Sequence, residues 1–146
     1  MPNISVSFLS VVFAVLALAA CQRSTAGVSG SLQSGFENDL IKLSESSNVF
    51  DNSREGAKRT EELSNFVAAN KDKVVAGWVC TLRPMGLGCA GQANEKVNYL
   101  LGIKSGPDRI YDGDTVVFSG RIEIQAIAGG AAVLVSDGKV DKVIPK

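Results

Sequence analysis

The sequence has no histidine among its 146 residues. Histidine is the commonest general base and the commonest metal ligand, so the usual centre of acid–base or metal chemistry is missing. Serines are frequent, but no Ser-x-x-Lys motif accompanies them, and no hydroxyl has a recognisable activator. We therefore expect no enzyme, cofactor or metal, and keep a hydrolase or metal-dependent enzyme as the alternative from another class.

An excess of charge of either sign is also missing. The chain has 15 Lys and Arg against 15 Asp and Glu, so its formal net charge is zero. A nucleic-acid partner would require a basic face that neutralises phosphates. We therefore expect no nucleic acid among the partners.

Long apolar runs are scarce, and the clearest extends from Val6 to Ala20. At about 15 residues it is shorter than the roughly 20 that cross a bilayer, which disfavours an ordinary transmembrane anchor. It ends in Leu18-Ala19-Ala20-Cys21. These residues match, position by position, the Leu-(Ala/Ser)-(Gly/Ala)-Cys box of bacterial lipoprotein precursors, which the N-terminal stretch resembles. The Lys or Arg that usually opens such a signal is missing from Met1 to Ser7.

The resemblance implies a signal peptide at residues 1–20, removed in front of Cys21. Cys21 would then carry the lipid that anchors the chain to the membrane. In that family the residue after the cysteine bears on the destination of the product. Gln22 at this position, rather than Asp, implies the periplasmic face of the outer membrane. Residues 21–31 are small and polar and read as a flexible tether to a single domain at 32–146.

Cysteines are few, and their odd number bears on the compartment. The chain has three, and an exported protein with an odd count would keep a reactive thiol. If Cys21 carries lipid as the resemblance implies, Cys80 and Cys89 remain as a pair. In an oxidising periplasm they are expected to form a disulfide that closes a short loop, the alternative being that both stay reduced.

The domain begins with a helical segment at residues 32–70. Apolar residues recur at helical spacing, and a second helix is expected to start at Asp51 or Ser53 as N-cap and to stop at Asn70. The predicted stripes are Leu32, Phe36, Leu40 and Leu43 for the first helix, and Ala57, Leu63, Phe66 and Val67 for the second.

The period changes from 3.6 to 2 after Lys73, which indicates a β-rich module at 74–144. Strands are expected at 74–82, with Val74, Ala76 and Trp78 on one face, and at 97–104, although 92–100 also fits a short helix. The longest strand alternates from Val116 to Ala126, and Gly120 on its inward face indicates a bend or a close backbone approach. Turns at Gly129-Gly130 and Asp137-Gly138 predict a three-stranded meander.

This order of elements resembles OB-fold periplasmic lipoproteins, a similarity carried by Gly113, Asp114, Val116, Phe118 and Gly120. The resemblance implies an α+β chain in which one or two helices precede a small antiparallel β-barrel or sheet. A two-layer α+β sandwich is the alternative.

Two further patterns suggest chemistry that their context does not favour. Residues 86–91 match G-x-G-x-x-G, but the parallel βαβ context of a dinucleotide site is missing, so a disulfide-closed surface loop is expected. Asp108, Asp112 and Asp114 could gather a hard cation, but the spacing differs from that of an EF-hand, and turn formation is expected.

Surface recognition is the remaining class of function. Aromatic and arginine side chains are typical interface anchors, and we expect five of them near one side of the module to form a partner-binding group. They are Trp78, Arg83, Tyr99, Arg109 and Tyr111. We predict an outer-membrane lipoprotein that acts as a non-catalytic binding or scaffold module for a protein or envelope component. The alternative within binding is an inhibitory or exclusion lipoprotein that blocks an envelope receptor or a wall-degrading enzyme.

Overall fold

A computed structural model of the chain describes residues 32–48, 50–127 and 130–146. The predicted signal peptide at 1–20, the lipid site Cys21 and the tether at 21–31 lie outside the described residues. Within the described ranges, no helix is long and apolar enough to cross a membrane.

Two helices form the N-terminal part of the described chain. Helix α1 covers residues 32–46, and helix α2 runs over Arg54–Asn70. The side chain of Ser53 caps α2 by accepting a hydrogen bond from the Gly56 N–H at 3.0 Å. The predicted N-cap and the predicted stop at Asn70 are therefore confirmed.

The predicted apolar stripes are confirmed only in part. Phe36 and Leu40 are buried, whereas Leu32 at the start of α1 is about half exposed. In α2, three residues of the stripe pack against the core: Leu63, Phe66 and Val67. Ala57 is exposed, so its assignment to the stripe is wrong, because the first half of α2 does not reach the core.

Five strands follow the helices in the described residues. They are β1 at Lys73–Leu82, β2 at Cys89–Gly91, β3 at Val97–Ser105, β4 at Thr115–Ile127 and β5 at Gly130–Ile144. They hydrogen-bond in the order β1-β2-β3-β5-β4, and β4 also pairs with β1, so the sheet closes on itself. A strand rather than a helix therefore occupies the stretch from Val97.

The sheet is mixed, so the chain is α+β as predicted, but the prediction of an antiparallel sheet is wrong. β3 and β5 run parallel, and every other pair is antiparallel. The cause is the way the sheet closes. β4 is antiparallel to β3 but pairs with β1, so β5 becomes the neighbour of β3. Because β5 is antiparallel to β4, it runs parallel to β3.

The predicted meander is also wrong, because β5 continues through Asp137 and Gly138 as one strand. The register with β4 shifts between Ser119 and Arg121, where the two β5 residues form a bulge. Asp137 has a φ of 54°, as an Asp-Gly turn would also require. β5 does not fold back here, because it pairs with β3 on one side and with β4 on the other.

β4 has the predicted faces. Its inward residues Val116, Phe118, Ile122 and Ile124 are all buried. A Cβ on Gly120 would lie 2.6 Å from Cγ1 of Val135 and 2.9 Å from the carbonyl oxygen of Ser136. The close backbone approach predicted at this glycine is therefore confirmed.

β1 departs from its predicted alternation. Its register with β4 shifts between Val75 and Trp78, and Gly77 between them has a φ of 70°. The shift moves Val75 onto the buried face and leaves Val74 70% exposed. The prediction that Val74 and Ala76 share a face with Trp78 is therefore wrong.

Aromatic rings link the helices to the interior of the closed sheet. Phe36 of α1 lies 5.7 Å from Phe66 of α2 and 5.1 Å from Trp78 of β1, measured between ring centroids. The series continues from Trp78 to Tyr99 at 6.2 Å and from Tyr99 to Phe118 at 5.2 Å. This series of rings thus connects both helices with three of the strands.

The predicted disulfide is confirmed. Cys80 of β1 is bonded to Cys89 of β2, with their Cα atoms 5.4 Å apart, and both are fully buried. A loop this short constrains the unfolded chain by something under about 3 kcal/mol. The bond ties the short strand β2 to its longer neighbour.

Candidate functional site

The short strand β2 leaves both of its neighbours without a complete partner. It pairs with Cys80–Leu82 of β1 and with only Asn98 and Tyr99 of β3. β1 therefore extends past β2 at residues 73–79, and β3 extends past it at residues 100–105. We call these two stretches the β1 edge and the β3 edge.

One residue of the β1 edge, Val79, is paired with a side chain of α1. The carboxamide of Gln33 donates to the carbonyl oxygen of Val79 at 2.6 Å and accepts from the Val79 N–H at 2.9 Å. A paired donor and acceptor on one residue are what a neighbouring strand would supply. Gln33 thus takes the place of a strand at this position.

Glu37, one turn further along α1, is fully buried. Its carboxylate accepts hydrogen bonds from Gln33 Nε2 at 2.9 Å and from the Tyr99 hydroxyl at 2.8 Å. It also accepts from the backbone N–H groups of Ala93 at 2.8 Å and Asn94 at 3.0 Å. Four donors therefore satisfy this charge, and no salt bridge forms with it within the described ranges.

Tyr99 is held as a neutral donor in this network. Burial raises the pKa of Tyr99 far above its ordinary value, and the negative charge of Glu37 raises it further. The hydroxyl keeps its proton and its hydrogen bond to Glu37 at every ordinary pH. α1 is thus attached to the sheet through a buried polar network as well as through Phe36 and Leu40.

The β3 edge borders an open groove instead. The groove has a volume of about 680 Å³, and most of its surface is carbon. Residues 100–103 of β3 line it, together with parts of the loop 83–88, of the segment 110–112, of β4 and of β5. No strand pairs with the β3 edge from this side in the described part of the chain.

Exposed apolar side chains line this groove, as Leu100 and Ile103 do, or adjoin groove residues in the sequence. They are Met85, Leu87, Leu100, Ile103 and Tyr111, with exposures from 40% for Leu100 to 87% for Met85. Single exposed apolar residues are ordinary on a protein surface, whereas a contiguous group of them marks an interaction site.

Polar contacts hold the loop 83–88 at the rim of the groove. The Met85 N–H donates to Oδ2 of Asp112 at 3.2 Å, and Nδ2 of Asn98 donates to the carbonyl oxygen of Leu87 at 2.9 Å. Gly88 has a φ of +105°, and a Cβ there would lie 2.3 Å from Oδ1 of Asn98. The glycine lets the loop turn away from the β3 edge, which accounts for part of the glycine-rich pattern.

The five residues of the predicted partner-binding group do not lie together on the surface. Trp78 is only 3% exposed and Tyr99 is fully buried, so the prediction of surface anchors is wrong for these two, which belong to the core. Arg83 lines the groove, while Arg109 and Tyr111 are exposed on either side of Ile110, another groove residue. Arg83 donates to Oδ1 of Asn98 at 3.3 Å and to the carbonyl oxygen of Glu95.

The three aspartates considered as cation ligands differ in their surroundings: Asp112 lines the groove, and Asp108 is exposed. Asp114 is buried and accepts from the Tyr111 N–H at 3.0 Å and from the Lys146 N–H at 3.3 Å. This is the turn-forming role expected for the stretch. No group of acidic or cysteine residues that could hold a metal ion is found among the residues that the structure describes.

Sequence reasoning missed Gln33 and Glu37. Both lie at helical spacing from Phe36, Leu40 and Ile41, on the side of α1 that faces the sheet. A polar pair four residues apart on an apolar stripe is the signal that could have revealed them.

No protein-family model matches this chain, and no curated protein and no solved structure matches it either. The site is therefore interpreted from its own geometry.

Proposed function

We propose that the chain is a lipid-anchored, non-catalytic binding module on the periplasmic face of the outer membrane, and that the groove beside β3 binds an envelope protein. The single observation that carries the binding role is the apolar groove itself. Its volume of about 680 Å³ lies within the range of roughly 300–1,000 Å³ found for ligand sites. The exposed apolar side chains around it would be buried by a partner.

The location rests on the sequence. The box Leu18-Ala19-Ala20-Cys21 and the following Gln22 support a lipid anchor directed to the outer membrane. The disulfide between Cys80 and Cys89 supports export, because such bonds persist in oxidising compartments and are rare in the cytosol.

A binding role also suits the polar groups of the groove. Asp112 accepts a hydrogen bond from the neighbouring loop, and Arg83 donates one to the neighbouring strand. These bonds fix the walls of the groove. We further propose that the closed sheet is a small barrel of the OB type. The strand number, the closure and the register shift between the long strands β4 and β5 at Gly120 support this assignment over a two-layer sandwich.

Photo-crosslinking in cells tests the groove. A photo-reactive residue is placed at Leu100 in the groove or, as a matched control, at Val74, which is exposed on β1. We expect a discrete crosslinked envelope protein from position 100 and none from position 74. The same crosslink from both positions, or none from position 100, would contradict a binding role for the groove.

Labelled palmitate tests the anchor. The unaltered chain should incorporate the label, and Cys21→Ala should not. Label in the Cys21→Ala variant would refute the lipid site at this residue.

A further inference from the structure

The β3 edge offers backbone groups as well as apolar surface. From residue 100 to Ser105 it has β5 as its strand neighbour on one side and, among the described residues, no strand on the other. A strand edge of this kind is a template for pairing with another extended chain. The groove lies along this open side, since four consecutive residues, 100–103, line it.

We infer that the groove takes an extended segment of a partner protein, which adds to β3 as an antiparallel strand in continuation of β2. This inference rests on the proposed function and names the chemistry of the partner. Main-chain hydrogen bonds supply affinity in such complexes, and pockets for alternate side chains supply specificity.

The existing register shows where the added strand would lie. β2 pairs antiparallel with β3 through Cys89↔Tyr99 and Ala90↔Asn98. The pairing with β3 ends at Cys89, and Gly88 before it has a positive φ. An added strand would lie about 4.8 Å from β3, in the position that β2 would occupy if it continued alongside residues 100–105.

The two faces of the added strand would meet different surfaces. Tyr99 points into the closed sheet, and side chains alternate along a strand, so Leu101 points inward and Leu100 outward. A partner residue opposite Leu101 would lie beside Leu82 and Ile110, which also line the groove. An apolar side chain fits this position.

The charged residues of the groove indicate which polar side chains the partner segment carries. The carboxylates of Asp112 and Glu123 line the groove, and neither forms a salt bridge within the described part of the chain. The guanidinium of Arg83 is directed to Asn98 and to the carbonyl oxygen of Glu95. The fitting segment therefore alternates apolar residues with polar ones that include Lys or Arg.

A selected peptide tests strand addition. A displayed library of peptides of about eight residues, apolar at alternate positions, is selected against the full chain purified in detergent. The tightest binder is resynthesised in two forms, N-methylated on its odd or on its even amides. Only the amides that face β3 are needed, so one form should bind about tenfold or more weakly and the other almost unchanged. Equal binding of the two forms, or no binder selected, would overturn strand addition.

Amide hydrogen exchange of the protein gives an independent measurement. Binding of the peptide should slow exchange at alternate amides of residues 100–105, while the Val79 amide, which is paired with Gln33, stays unchanged. Protection of these amides in the free chain, together with the mass of a dimer, would show that a second copy fills the edge and would overturn the inference.

The two proposals fail in distinguishable ways. A crosslink specific to position 100 combined with equal binding of the two methylated peptides would retain the groove as a binding site and reject strand addition. Crosslinks that do not distinguish positions 100 and 74 would reject the proposed function, whatever the peptides do.

Discussion

The two edges left by the short strand β2 are treated in opposite ways. At the β1 edge, Gln33 of α1 pairs with both backbone groups of Val79, and Glu37 fixes the helix in place. At the β3 edge no described strand or helix supplies such a partner, and apolar side chains surround an open groove. The first edge is thus paired at Val79 by polar groups of the chain itself, whereas the second has no such pairing among the described residues.

The difference shows that a single short strand leaves two unlike edges, one that contributes to stability and one at the proposed binding site. An exposed strand edge is a liability that proteins usually cover. Pairing Val79 of the β1 edge with a buried polar side chain restricts α1 to one position, because each donor needs its own acceptor. The β3 edge is apolar and makes few such demands, which suits a site that must be accessible.

The largest effect is expected from Glu37→Ala on the covered side. The Tyr99 hydroxyl and the N–H groups of Ala93 and Asn94 would lose their common acceptor. We expect the free energy of unfolding to fall by about 3–4 kcal/mol, because buried donors left unpaired are costly. Urea unfolding followed through the fluorescence of Trp78, the only tryptophan, measures it.

Glu45→Ala is the matched control on the same helix. Glu45 forms an exposed salt bridge with Lys96, and its loss should cost less than about 1 kcal/mol. A loss from Glu37→Ala no larger than that of the control would show that the carboxylate does not hold α1.

The second-largest effect is expected from alkaline pH, which should destabilise the folded chain through Tyr99 of the same network. A tyrosine ionises near pH 10 in the unfolded chain, whereas burial keeps Tyr99 protonated in the folded chain. Above about pH 10 the unfolded state binds fewer protons, so the free energy of unfolding falls by about 1.4 kcal/mol per pH unit; below it this contribution is constant.

Absorbance of the tyrosinate ion measures this effect. In Tyr111→Phe, Tyr99 is the only tyrosine of the chain. We expect no tyrosinate signal until the chain unfolds, as followed by circular dichroism. A reversible titration of the folded variant near pH 10 would contradict the buried hydrogen bond to Glu37.

Gln33→Ala should have a smaller effect that isolates the edge itself. Val79 would lose both partners of its backbone, at a cost of about 1–2 kcal/mol. Hydrogen exchange of the Val79 amide should become about tenfold faster. Gln92→Ala, which removes an exposed hydrogen bond to Thr81, should leave this amide unchanged. Equal exchange in both variants would mean that Gln33 does not protect the β1 edge.

The parts of the fold that could be predicted are those specified by neighbouring residues. Both helix ends, the alternation of β4 and the close approach at Gly120 depend on local spacing and on glycine geometry. Asp137-Gly138 shows the limit, because an Asp-Gly pair favours positive φ in a turn and in a bulge alike. Only the distant partners β3 and β4 decide that β5 continues.

The candidate site was predictable to a smaller extent, because more of its contacts join residues that are distant in the sequence. Arg83 was expected at a binding surface and lines the groove, and Tyr111 is exposed between the groove residues Ile110 and Asp112. Gln33 and Glu37 were not found, because their partners Val79 and Tyr99 are 46 and 62 residues away. The open β3 edge follows from the shortness of β2, which a glycine-rich stretch does not reveal.

The smallest effect on stability is expected from Leu100→Ser on the open side. Leu100 is 40% exposed on the outer face of β3, so the free energy of unfolding should change by no more than about 0.5 kcal/mol. The same change at Leu40, which is fully buried on α1, should cost about 3–4 kcal/mol. Affinity for the selected peptide should fall severalfold in Leu100→Ser, because an apolar contact in the groove is lost. If Leu100→Ser destabilises the chain as much as Leu40→Ser does, the β3 edge belongs to the core of the fold, and the contrast between the two edges fails.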